Sequence, residues 1–222
     1  MADRPAADVT VCRTVRRRYY RDMAAQPQPR LTPEQYLELE RAAEFRHEYY
    51  NGRMYAMAGG TLNHVVIIGN LTRELGNGLR KRPCLVMPGD MRTCVSLDAL
   101  YTYPDIVVVC GEPHCFDNRK DTLLNPLVII EVLSPSTEAY DRGFKSAQYR
   151  KLESLQEYVL VSQAEPRVEV YRRQPGNEWL LSESIGLDAA CTFRSIDCSV
   201  SLADVYDKVT FEEPGPPSTP AS

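Results

Sequence analysis

Two stretches decide the fold: Tyr103-Pro104-Asp105-Ile106-Val107-Val108-Val109 and Pro126-Leu127-Val128-Ile129-Ile130-Glu131-Val132-Leu133. Each is a strand-length run of β-branched and aliphatic residues bounded by turn formers. Each carries one carboxylate inside an otherwise apolar run, where desolvation is costly unless a partner or a metal compensates it. Asp105 stands near the start of its strand and Glu131 near the end of the other. Antiparallel pairing brings both carboxylates to one end of the sheet. Parallel in-register pairing would hold them about 13 Å apart, at about 3.3 Å per residue.

Around this pair, the 222 residues suffice for one domain with a sizeable core, with or without tails. The 43% hydrophobic and 25% charged content is that of an ordinary globular chain. No apolar run approaches the roughly 20 residues of a membrane span, and no apolar stretch follows the N-terminal arginines as in a secretory signal. A soluble protein without membrane partners is expected. Seven cysteines (Cys12, Cys84, Cys94, Cys110, Cys115, Cys191, Cys198) form no C-x-x-C pair, so reduced thiols in a cytoplasm are expected. Cys110, His114 and Cys115 are close in sequence but lack the four paired ligands of structural zinc; they read as a strand end and a loop. The net charge of −4 argues against a binder driven by electrostatics alone, but not against an enzyme acting on nucleic acid.

Residues 1–30 read as a flexible tail, with an Arg16-Arg17-Arg18-Tyr19-Tyr20-Arg21 charge run and an alternative translation start at Met23. A domain over 31–211 and a Pro/Gly/Ser-rich disordered end over 212–222 complete the chain. Thr32-Pro33-Glu34-Gln35 predicts a capped helix with Tyr36, Leu39 and Ala43 on one face, ending near Arg46 or His47. Asn51-Gly52 predicts a hairpin turn. Val65, Ile68, Leu71, Leu75 and Leu79 form the stripe of a second helix over about 61–80. Strands are predicted at about 84–87 and 91–95 around Pro88-Gly89-Asp90, then at 104–110 and 126–133 with a polar loop between. A helix over 142–153, with Asp141 able to cap it, precedes strands at 157–162, 167–173 and 178–184. Residues 191–211 add a strand and a short helix.

Glu48, Asp105 and Glu131 are the candidates for chemistry. All-oxygen carboxylate donors suit Mg²⁺ or Mn²⁺. Such a cation activates water and withdraws charge from a phosphodiester, and a lysine beside it stabilises the transition state. No Gly-x-Ser-x-Gly elbow and no glycine-rich phosphate loop is present.

Pro104-Asp105 followed by Glu131 resembles the PD-(D/E)XK nuclease superfamily. The ordered set Glu48…Asn51-Gly52, His64, Tyr103 to Val109, Glu131-Val132-Leu133-Ser134-Pro135-Ser136-Thr137, Asp141-Arg142-Gly143-Phe144-Lys145 and Glu157-Tyr158-Val159-Leu160-Val161 is similar to the Uma2 family. The resemblance runs from about residue 30 to about residue 207. It implies a single α/β (α+β) domain of restriction-endonuclease-like architecture, a mixed β-sheet flanked by helices. It implies an endonuclease that cuts DNA, with Mg²⁺ or Mn²⁺ held by Glu48, Asp105 and Glu131. The superfamily lysine would fall at Leu133; Lys145 is its natural substitute, making Asp105, Glu131 and Lys145 the expected catalytic set. His64 and Asp141 are placed beside them, orienting ligands or touching substrate. Double-strand cleavage would favour a two-fold dimer.

Plainer readings stand beside these. Asp105 could bond turn amides, Glu48 could be an exposed strand residue, and His64 could be a packing residue. Lys145 could form a surface ion pair with Asp141 one helical turn away. Leucine at position 133 and the acidic net charge also suit a nuclease-fold module that binds nucleic acid or a protein partner without catalysis.

Overall fold

The computed structural model describes residues 30–211. Residues 1–29 and 212–222, and with them the arginine run, Cys12 and the alternative start at Met23, lie outside the described residues. No helix among the described residues is long and apolar enough to cross a membrane.

Helix α1 (Pro33–Ala42) has the predicted capping box: the Thr32 side chain accepts from the Gln35 N–H, and Gln35 accepts from the Thr32 N–H. Such a cap contributes about 1 kcal/mol. The helix stops four residues earlier than Arg46, and it buries Tyr36, Leu37 and Glu40 while Leu39 is exposed. The hairpin of β1 (His47–Tyr50) and β2 (Arg53–Ala56) turns at Asn51 (φ 46°) and Gly52 (φ 86°), the positive angles that Asn-Gly tolerates.

Helix α2 (Leu62–Gly78) is capped by Thr61. Its buried stripe is Ile67, Leu71, Leu75 and, just beyond it, Leu79; Val65, two residues before Ile67, falls on the opposite side of the helix and is exposed. Strands β3 (Cys84–Pro88) and β4 (Arg92–Ser96) do not pair with each other. The Pro88-Gly89-Asp90 turn hands the chain from one sheet to another. Strands β4, β5 (Leu100–Thr102) and β7 (Thr122–Leu123) join the hairpin in a five-stranded sheet ordered β2-β1-β5-β4-β7. The polar loop 111–125 therefore contains a short strand.

The larger sheet adds β6 (Ile106–Cys110), β8 (Val128–Leu133), β9 (Glu157–Ser162), β10 (Arg167–Arg173) and β11 (Trp179–Ile185), in the order β11-β10-β9-β8-β6-β3. Strands β8 and β9 are parallel and every other pair is antiparallel, so the sheet is mixed. Period-two alternation sends Val128, Ile130 and Val132 into a core with α2, and Ile129 and Leu133 into a second core with Tyr149, Leu152 and Tyr158. Both faces are thus covered, which explains why β8 reads as a continuous apolar run. A last hairpin, β12 (Ala190–Phe193) and β13 (Cys198–Ser201), leads into the short helix α4 (Leu202–Val205).

The helix expected over 142–153 runs instead from Glu138 to Tyr149 (α3), and Asp141–Lys145 within it is a π-turn. Asp141 is not its cap but a buried interior residue. The expectation of reduced thiols also needs correction. Cys84 and Cys110 stand opposite each other in the β3–β6 register and are joined as a disulfide, while Cys94, Cys115, Cys191 and Cys198 are free. Sequence spacing says nothing of such a pair, because strand register creates it.

Candidate active site

The β6–β8 pairing matches Ile106 with Ile130, so the next residues outward, Asp105 and Glu131, face each other at the sheet's end. The antiparallel alternative is the one realised. The Asp105 N–H donates to Glu131 Oε2 (3.3 Å), and the Val132 N–H donates to Asp105 Oδ2 (2.7 Å). On β8, Glu131 shares the face of Ile129 and Leu133 and looks toward α3. Leu133 is only 5% exposed and packs against that second core, so a lysine there would have to displace core packing.

Lys145 supplies the ammonium from α3. Its Nζ lies 3.1 Å from Glu131 Oε1, 3.3 Å from Glu48 Oε1 and 3.4 Å from Asp141 Oδ1. The π-turn helps place it: Asp141 and Lys145 both point inward, and the two residues are buried. The Asp141–Lys145 pair foreseen as a surface contact is therefore an interior one. Glu48 comes from β1 of the other sheet, so the site bridges both sheets. On the Asp105 side, His64 of α2's first turn brings Nε2 within 3.1 Å of Asp105 Oδ1.

The structure thus gathers all six predicted residues in two linked groups. Glu131 joins them, with Lys145, Glu48 and Asp141 on one side and Asp105 and His64 on the other. Three further residues belong to the neighbourhood. Tyr149 donates to Glu131 Oε1 (2.8 Å) and bonds Thr102 (3.0 Å). Tyr140 donates to Glu48 Oε2 (3.3 Å). Buried Glu40 accepts from the His47 N–H (2.8 Å) and from the Tyr103 hydroxyl (2.9 Å), anchoring the start of β1 next to Glu48. Tyr149 sits one helical turn after Lys145, a spacing that places it on the same side. Nothing local in sequence marks Glu40 or Tyr140.

Four carboxylates here outnumber one ammonium and one imidazole. Burial pushes the Glu131 carboxyl up to about 8, against the pull of Lys145, and the charges of Asp105 and Asp141 add to the rise. Burial likewise raises Asp141. Burial alone would lower Lys145, but Glu131, Glu48 and Asp141 outweigh it and hold its ammonium firmly charged. The hydrogen bond to Asp105 raises His64. Glu48 Oε1 and Asp141 Oδ1 are buried without a hydrogen-bond partner, and each lies near the same ammonium.

Among the described residues, no three His, Cys, Asp or Glu side chains are gathered so as to enclose a metal ion by themselves. Magnesium does not require such a cage. It is usually held by one or two carboxylates, with waters and substrate phosphate completing the octahedron. The facing carboxylates of Asp105 and Glu131, in a neighbourhood rich in negative charge and unpartnered oxygens, fit that chemistry.

Comparison with known proteins agrees with this architecture. The Uma2 family model, described as "Putative restriction endonuclease", matches residues 33–193, which include every residue of the site. Two uncharacterized proteins of Synechocystis sp. are each 36% identical. One match spans 187 residues (83% of this chain, 96% of the relative), and the other 163 residues (73% and 92%). A crystal structure from Anabaena variabilis, described as "a putative nuclease belonging to DUF820", superposes with a TM-score of 0.66 at 21% identity. That match covers 81% of this chain and 99% of the other, and it shows a shared fold. With the family model spanning the sheet, the helices and the whole carboxylate site, the chain belongs to the Uma2 family.

Proposed function

We propose that this protein is a Mg²⁺- or Mn²⁺-dependent endonuclease that hydrolyses DNA phosphodiester bonds. The carrying observation is the pairing of Asp105 with Glu131 at the sheet's end, with the Lys145 ammonium 3.1 Å from Glu131. Family membership supports the same reading.

Asp105 and Glu131 would hold the cation, with Glu48 as an accessory oxygen donor. When bound, the cation would supply an acidified water and draw charge from the scissile phosphate. The chain's own groups do the rest. Lys145, kept charged by its carboxylates, is not a base; it offsets negative charge building on the phosphate and on the leaving oxygen. Tyr149 and the Asp105 N–H fix the Glu131 carboxylate from two sides. His64 orients Asp105 through Nε2. Asp141 holds Lys145 from its own helix.

The test is conversion of supercoiled plasmid with Mg²⁺ or Mn²⁺, with and without chelator. Cleavage is expected to require the metal and to disappear in Asp105→Ala and Glu131→Ala. Cleavage by either variant at the wild-type rate would refute the assignment.

A second reading draws on one specific observation: Lys145 already sits among Glu131, Glu48 and Asp141, offsetting part of their charge without a metal. A non-catalytic module that binds nucleic acid or a protein partner would need nothing more. Calorimetry separates the two. Retained DNA binding with no heat of Mn²⁺ binding would favour the module.

A further inference from the structure

Beside the carboxylates lies an aromatic cleft that the proposed chemistry leaves unused. It has a volume of about 480 Å³ and is lined by Glu48, Tyr50, Tyr55, Tyr140 and Phe144. Tyr140 and Phe144, one turn apart on α3, stack at 5.3 Å with 11° between their planes, and Tyr50 meets Phe144 edge-on at 4.7 Å. Tyr55 faces Glu48 directly in the β1–β2 register and is 47% exposed. The cleft is continuous with the site. Glu48 lines it and reaches Lys145, Tyr140 bonds Glu48, and the Lys145 ammonium lies 5.6 Å from the Tyr140 ring centroid.

We propose that this cleft receives an unpaired nucleobase of a DNA strand, so that the enzyme acts preferentially where a nucleotide next to the scissile bond is unstacked. This rests on the nuclease reading of the adjoining site. Exposed rings recognise the π-face of a base, which is hidden between neighbours in a fully paired duplex and open in single strands, bulges and flaps. The position suits that use, because a base held there keeps its own phosphate close to Lys145. Tyr50 and Phe144 also pack against the second core, whereas Tyr55 lies on β2, the edge strand of its sheet, with its ring exposed beside Glu48.

The probe is a single-stranded oligonucleotide carrying one 2-aminopurine, with Ca²⁺ replacing Mg²⁺. Its companion is cleavage in Mg²⁺ of duplexes with and without one unpaired nucleotide. The wild type is expected to quench 2-aminopurine on binding and to cut the interrupted duplex about tenfold faster than the paired one. Tyr55→Ala, at an exposed position, is expected to bind the single strand about tenfold more weakly, without quenching, and to lose the cleavage preference, whereas Tyr55→Trp retains both. Cleavage of both duplexes at equal rates with no quench would overturn the cleft and leave the nuclease reading standing. Quenching lost in Tyr55→Ala, with no cleavage of any DNA by the wild type, would uphold the base site and overturn the nuclease reading.

Discussion

At the scale of single residues, the site is a contest between burial and charge. Glu131 is 3% exposed, and its carboxyl is held by Lys145, Tyr149 and one backbone N–H. Removing Lys145 would leave Glu131, Glu48 and Asp141 facing one another without a cation. Lys145→Met is therefore expected to cost about 3 kcal/mol of stability in denaturant titration. Single-turnover cleavage should fall at least about 100-fold. Lys145→Arg should recover much of the stability but not the rate, because a planar fork cannot take the place of a compact ammonium among three oxygens. Full cleavage by a folded Lys145→Met protein would remove the lysine from the reaction. Tyr149→Phe isolates a smaller effect: it deletes the hydroxyl that fixes Glu131 while leaving the ring in the core.

At the scale of elements, α3 and α2 treat their glycines differently. A Cβ added at Gly143, in the π-turn, meets nothing within 4 Å, and this glycine has no positive φ. Gly143→Ala should raise stability by about 0.5–1 kcal/mol, read as a higher melting temperature. At Gly78, which ends α2, a Cβ would approach Cys198 Sγ to 2.6 Å. Gly78→Ala should destabilise by about 1–3 kcal/mol through overpacking. A reversed order of the two variants would mean that α2 and α3 pack otherwise. Elements also show what the sequence reveals and what it hides. The capping box at Thr32, the Asn51-Gly52 turn and the strands holding Asp105 and Glu131 are legible because their signals are local. Register across antiparallel strands then carried the carboxylates to one end. Three things were hidden because they arise only from tertiary placement. The Pro88-Gly89-Asp90 turn gives no sign that it changes sheets. A π-turn shifts α3 so that Asp141 lies inside it rather than at its start. The Cys84–Cys110 pair exists only once β3 lies on β6. The arc of α2 that faces the sheet likewise depends on docking, which turns Ile67 inward and leaves Val65 outside.

At the scale of the whole molecule, the surplus of carboxylates couples stability to pH and to cations. Glu131 and Asp141 have raised proton affinity in the fold, so as pH climbs the unfolded chain gives up those protons first. Stability should therefore fall between roughly pH 4 and the folded Glu131 value of about 8. His64, also raised, adds stability that is complete below its unfolded value near 6.5 and fades as pH passes its folded value. All three act in the same direction. The depressed carboxyls Asp117, Asp121 and Glu169 lose their contribution only at more acidic pH. A divalent cation that binds the ionised carboxylates competes with the protons, so Mn²⁺ should raise the melting temperature more at pH 8 than at pH 6. An equal gain at both would argue against binding at these carboxylates. The site's dispersal along the chain also has a meaning in time. Glu48, Asp105, Glu131 and Lys145 come from separate elements, and β8 gains its parallel neighbour only when β9 has been made. During N-to-C synthesis, the sheet behind Glu131 cannot close until most of the chain has emerged. A chain that stops before β9 would carry the Asp105 and Glu131 motif but lack the sheet neighbour on which the pocket is built.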